Sequence, residues 1–162
     1  PPRSTLFPYT TLFRSLESFS HVEILAIIRD AEENAQSAFQ SITDLLKKYD
    51  MPVPSQPAQF SRKRPKVGIF IMPGFSEQGM LEDLCLKTVA QHPAMKCVEQ
   101  FADCVAALPE PPKIMSKAKS QAFLAAMPEI ANSLGVGAKK GYWNFEARAL
   151  AKLRKFLAKL GE

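Results

Sequence analysis

The sequence predicts an α/β fold, a parallel sheet flanked by helices. Two short apolar runs, HVEILAII at residues 21–28 and VGIFIM at residues 67–72, have the length and β-branched content of strands buried on both faces. Between them, Ala35, Ala38, Phe39, Ile42, Leu45 and Leu46 recur at helical spacing across residues 35–48. A strand, a helix and a second buried strand in that order make a βαβ unit, with parallel strands and a right-handed crossover.

The elements follow in order. Asp30, Glu32 and Glu33 supply a turn and a helix start after the first strand. Pro52, Pro54 and Pro57 stop the first helix and make an extended linker. The basic run of Ser61, Arg62, Lys63, Arg64, Pro65 and Lys66 precedes the second strand, which Pro73 and Gly74 end. We read that run as solubilising the entry to a buried strand, in preference to a nuclear-localisation or nucleic-acid signal.

Beyond it the chain turns helical, with segments expected at residues 79–91, 96–108, 116–127 and 144–160. Ser116 is the expected N-cap of the third. A glycine-containing loop is expected at residues 132–141, and Leu150, Leu153, Leu157 and Leu160 form the stripe of the last helix. Tyr142 and Trp143 suit packing of that helix more than stacking on a base. No internal repeat is visible.

Composition excludes several classes. The chain has 162 residues, 46% apolar and 23% charged, so it carries enough apolar sequence for a core and is not a disordered chain. No window approaches the ~18–20 apolar residues of a membrane-spanning helix, and no membrane partner is expected. Three cysteines, an odd number, argue against a disulfide framework and for a reducing, cytoplasmic compartment. Cys85, Cys97 and Cys104 read as small core residues. No zinc spacing, P-loop or dinucleotide fingerprint is present.

Residues 1–15 stand apart. They show neither helical nor strand periodicity, and TLFPYTTLFRS at residues 5–15 reads as the in-frame translation of a short-read sequencing adapter. Setting them aside removes Arg3 and Arg14 and no acid, so the net charge of +5 falls by two. Residues 16–162 are then expected to be the C-terminal portion of a longer domain, and residues 1–15 to lack stable packing.

In open parallel sheets, sites form beyond the carboxyl ends of the strands. Two acidic loops meet that rule: the one holding Asp30, Glu32 and Glu33, and the one from Pro73 to Gly79 that leads into Glu82 and Asp83. Clustered carboxylates suit a hard divalent cation such as Mg²⁺ or Mn²⁺. Acids at a helix start are also favoured by the helix dipole alone, and the spacing does not separate the two readings. Lys117, Lys119, Lys139 and Lys140 are candidates for holding phosphate, with a solvated surface as the plainer reading.

The run EILAIIRDAEE at residues 23–33 resembles the second acidic motif of Toprim domains, an aspartate pair after a hydrophobic strand. IIRDAEENAQSAFQSITDLLKK, KVGIFIMPGFSEQGMLEDLCLKTV, SKAKSQAFLAAMPE and GVGAKKGYWNFE are similar to a bacterial and archaeal family, domain of unknown function 3226. That family is considered Toprim-like and related in fold to the nuclease domain of OLD-family proteins; the resemblance covers roughly residues 21–160. It implies a Rossmann-like parallel sheet and a Mg²⁺- or Mn²⁺-dependent nuclease acting on DNA or RNA phosphodiesters. Asp30 matches the first metal-binding aspartate, Glu32 stands where many relatives have the second, and Glu82 resembles the further acid of OLD-like domains. The Toprim glutamate belongs on a strand upstream of Asp30, where this chain has the adapter-like string and where Glu17 cannot replace it. As it stands the chain is therefore expected to be inactive. The resemblance also allows a non-catalytic module partnered with an ATPase.

Overall fold

A computed structural model of the chain describes residues 21–75 and 77–161. Residues 1–15 and Glu17 lie outside those residues. Strands β1 (Ile24–Asp30) and β2 (Lys66–Met72) pair in parallel, in register from Ile24 against Lys66 to Asp30 against Met72. Helix α1 (Ala35–Lys48) crosses between them with the bounds its periodicity predicts. Asn34 Oδ1 accepts the Ser37 N–H at 2.8 Å, and Lys47 and Lys48 occupy the last turn, so both ends of α1 are compensated. The architecture is therefore α/β, with a two-stranded parallel sheet among the described residues.

Side chains alternate along a strand, and β2 uses both faces. Val67, Ile69 and Ile71 pack with Ala35, Ala38, Ile42 and Leu46 of α1. Phe70 and Met72 face the other layer, with Leu84, Leu150 and Phe156. Burial on both faces thus holds for β2 but fails for β1, where Ile24 to Ile27 are half-buried and Ile28 is 42% exposed. The reason is position in the sheet. Beyond β2 the returning chain adds a Phe60–Gly68 bridge, and the Ala58 and Ser61 N–H groups donate to Ile69 O and Val67 O. The outer edge of β1 pairs with no further strand among the described residues.

The remainder is helical: α2 (Leu81–Thr88), α3 (Met95–Ala106), α4 (Met115–Ala125), α5 (Leu134–Lys139), a 3₁₀ turn (Arg148–Leu150) and α6 (Ala151–Ala158). A second core joins Val89, Val98, Phe123, Leu124, Met127 and Trp143. The Trp143 indole stacks on Phe123 at 5.0 Å between centroids and donates from Nε1 to Leu134 O. Tyr142 donates its hydroxyl to Glu129 O, so both aromatics serve packing. None of the described helices is long and apolar enough to cross a membrane.

Several local expectations are corrected. Ile114, not Ser116, precedes α4; Ser116 lies in its first turn and offers its carbonyl to the Ser120 hydroxyl at 2.7 Å. Residues 132–141 are not all loop, because Ser133 Oγ accepts the Val136 N–H and starts α5. Gly137 is admitted into that helix by close packing: a Cβ there would lie 2.6 Å from Leu124 and 3.0 Å from Trp143 Nε1. The last helix is shorter than expected, and its buried anchor is Phe156, while Leu157 and Leu160 are each 39% exposed. Cys97 and Cys104 are exposed, because α3 buries the face carrying Val98 and Ala102.

Two outcomes follow from this packing. A Cβ at Gly68 would stand 2.6 Å from the Phe60 ring, which is itself stacked on Phe156. Gly68→Ala is expected to cost about 1–3 kcal/mol by overpacking, measured by chemical denaturation, with part of the loss restored when Phe60→Leu is added. Alkylation at pH 8 followed by peptide mass spectrometry should label Cys97 and Cys104 well before Cys85, whose thiol burial and the charge of Glu82 push up to about 11.

Candidate functional site

The site is built where both strands end. Asp30 closes β1 opposite Met72, the last residue of β2. Ala31 donates its N–H to Met72 O at 2.8 Å, and Glu32 and Gly79 exchange two backbone hydrogen bonds of 2.8 Å each. This clasp ties the loop after β1 to the loop after β2, so the two acidic loops share one backbone framework. Its geometry is unusual, with φ of 53° at Glu32 and +126° at Gly79. A left-handed conformation costs a non-glycine residue about 1–2 kcal/mol, which the paired hydrogen bonds offset. Gly79 is required by its φ and by space, since a Cβ would lie 2.7 Å from Asp83 Oδ2.

Helix α2 begins inside this framework. Asp83 Oδ2 accepts the Met80 N–H at 2.8 Å and so caps its own helix. Asp30 Oδ1 reaches across from β1 to accept the N–H of Leu81, the first residue of α2, at 2.9 Å. A helix start carries four N–H groups without internal partners, and the strand's carboxylate satisfies one of them. Glu82 is half-buried, one residue further along.

Electrostatics group these acids. Burial holds the Asp30 carboxyl above its ordinary value, and the charges of Glu82 and Glu32 push it the same way. The Leu81 N–H and the charge of Lys117 pull it down. The structure thus brings Asp30, Glu32, Glu82 and Lys117 within one field. Among the described residues, no three His, Cys, Asp or Glu side chains form a group that could hold a metal ion. The acids interact without composing a ready coordination shell.

Two of the other candidate lysines are engaged elsewhere. Lys119 of α4 pairs with Glu99 of α3 at 2.5 Å, and Lys140 pairs with Glu129. That contact holds the Glu129 carboxyl below its usual value and raises the Lys140 ammonium. Lys139 is an exposed residue of α5. Lys117 lies in the first turn of α4 and makes no ion pair among the described residues. In the second acidic loop, Glu77 is taken by Lys87, whose hydrogen bond and charge lower its carboxyl. Sequence reasoning missed the Glu32–Gly79 clasp and the Leu81 N–H; the only hint was a glycine placed just ahead of an acidic helix start.

Asp30→Asn tests the electrostatics, because it keeps an Oδ1 acceptor for Leu81 and removes the charge. A carboxyl with a raised folded-state pKa binds its proton more tightly when folded than when unfolded. Stability therefore falls as pH rises from the ordinary 3.8 through the raised value, and stays lower above it. At pH 7 the variant is expected to melt at or above the parent temperature, with the gain disappearing below about pH 4. A variant several degrees less stable at neutral pH would contradict the desolvation account.

A family described as "Protein of unknown function (DUF3226)" matches residues 8–162, a span that takes in part of the adapter-like segment. No curated protein and no solved structure matches the chain. With all but the first seven residues matched, the chain belongs to the family "Protein of unknown function (DUF3226)".

Proposed function

We propose that the protein is a Toprim-like, Mg²⁺-dependent enzyme that hydrolyses nucleic-acid phosphodiesters, with Mn²⁺ able to replace Mg²⁺. One observation carries this reading: a half-buried carboxylate, Asp30, ends a parallel strand under the combined charges of Glu82 and Glu32, with Lys117 opposing them. Sites of parallel sheets lie at that end, and a cation relieves like-charge repulsion among carboxylates.

The donor chemistry fits the ion, since Mg²⁺ commonly takes one or two carboxylates and completes its octahedron with water and phosphate oxygens. A trio assembled in advance is not needed. Asp30 would hold the ion, with Glu32 and Glu82 as the neighbouring oxygen donors. When bound, the ion would supply charge neutralisation at phosphate and a more acidic water.

The chain's own residues do the rest. The Leu81 N–H fixes the Asp30 carboxylate before any substrate arrives, which lowers the cost of ordering it during reaction. The Glu32–Gly79 clasp holds the two loops at one separation. Lys117 would meet a phosphate oxygen and balance the charge that develops on it. Lys119 and Lys140 would first have to leave Glu99 and Glu129.

The test combines a binding and a turnover readout. Mn²⁺ is expected to raise the melting temperature of the parent at pH 7 and to leave Asp30→Asn unmoved. Metal-dependent cleavage of DNA or RNA oligomers, measured on a form that also carries an upstream strand with the glutamate the resemblance calls for, should fall at least a hundredfold in Asp30→Ala and roughly tenfold in Lys117→Met. Undiminished cleavage by Asp30→Ala would place the chemistry elsewhere. The lack of a three-ligand group among the described residues favours a second reading, a non-catalytic binding module that works with an ATPase partner. Nucleic-acid binding without metal-dependent cleavage would select it.

A further inference from the structure

The opposite end of the same sheet holds a second concave surface. An open cleft of about 1370 Å³ lies where β1 and β2 begin, lined by residues that precede each strand and by the end of α1. Seven-residue strands at ~3.3 Å per residue place it about 20 Å from Asp30. Its lining carries four cations, Lys47, Arg62, Lys63 and Arg64, against two carboxylates, Glu23 and Asp50. Arg64 is paired with Glu23 at 3.4 Å, and Lys47 with Asp44 at 3.8 Å. Arg62 and Lys63 are exposed and make no ion pair among the described residues.

The backbone that presents these two residues is fixed. Ser61 is buried; its N–H donates to Val67 O at 2.9 Å, its hydroxyl donates to Lys63 O, and its Oγ accepts the Val67 N–H at 2.9 Å. One residue earlier, Phe60 bridges Gly68 and stacks on Phe156. A run that only solubilises needs charge and no particular shape. Here a buried serine and a strand bridge hold two cations at the rim of a cleft whose wall includes Met51, Pro52 and Val53. Guanidinium and ammonium groups bind phosphate, and an apolar wall can take the flat face of a base.

We propose that this cleft binds a nucleotide unit, free or within a strand, with Arg62 and Lys63 on the phosphate and the base against Met51, Pro52 and Val53. The site is separate from the acidic one and needs neither metal nor turnover.

Fluorescence anisotropy of the whole chain in EDTA tests this with two probes, a labelled short oligothymidylate and a labelled ATP. The expected result is binding of at least one probe, weakened tenfold or more in the double variant Arg62→Ala, Lys63→Ala. For the oligomer, the variant should also flatten the dependence of affinity on salt by about one to two phosphate contacts. Exchanging the two residues (Arg62→Lys, Lys63→Arg) should retain most of the affinity. Removing equal charge at two exposed lysines outside the lining, with Lys96→Ala and Lys113→Ala, should leave it within twofold. Oligomer binding alone identifies a strand as the ligand, ATP binding alone a free nucleotide, and both together a shared nucleotide site. Failure of both probes to bind, or equal loss in the two alanine pairs, overturns the proposal. Probe binding in EDTA is read apart from metal-dependent cleavage, so failure here and failure of catalysis at Asp30 are distinguishable.

Discussion

The parallel register of β1 against β2 is the constraint on which the rest of the molecule depends. It sets Asp30 beside Met72, and both strands therefore end at the same level. Only then can the two following loops meet and exchange the Glu32–Gly79 hydrogen bonds. The clasp in turn delivers the start of α2 to the Asp30 carboxylate. Each contact presupposes the one before it, from backbone pairing to loop clasp to side-chain placement. A slip of one residue would also turn Val67, Ile69 and Ile71 away from α1, since strand side chains alternate.

The same sheet separates charge by its direction. Carboxylates gather where the strands end, and unpaired cations gather where they begin. Parallel strands make this possible, because all loops of one kind collect at one end. In an antiparallel pair, the acidic and basic segments would have been interleaved. The helices add Glu82 of α2 and Lys117 of α4 to the acidic end and Lys47 of α1 to the basic one, while pairs such as Lys119–Glu99 and Lys140–Glu129 tie down helical segments and loops.

Legibility varied with the range of the forces involved. Helix α1 matched its expected bounds, because its apolar periodicity, Asn34 cap and terminal lysines all act within a few residues. Helix α5 was hidden, because Gly135 and Gly137 read locally as loop while the packing that favours Gly137 comes from Leu124 and Trp143. The cysteines of α3 misled for a similar reason. A seven-residue spacing places Cys97 and Cys104 on one face, but which face is buried depends on what packs against it. Phe156 was overlooked because a leucine stripe outnumbers it, yet its ring fills the space beside Phe60 and Phe70.

By itself, the sequence determined the βαβ unit, its parallel pairing and the family, all of which follow from periodicity and from matched strings of residues. It also named Asp30, Glu32, Glu82 and Lys117, because acids after a buried strand and a lysine at a helix start are local facts. Tertiary structure decided that these four share one field, that Asp83 is spent as a cap, and that Lys119 and Lys140 are held by other carboxylates. It also gave the basic run beside Ser61 a fixed shape. Charge and polarity are properties of a residue, whereas proximity, burial and partner are properties of the fold, and chemistry at a site depends on the second set.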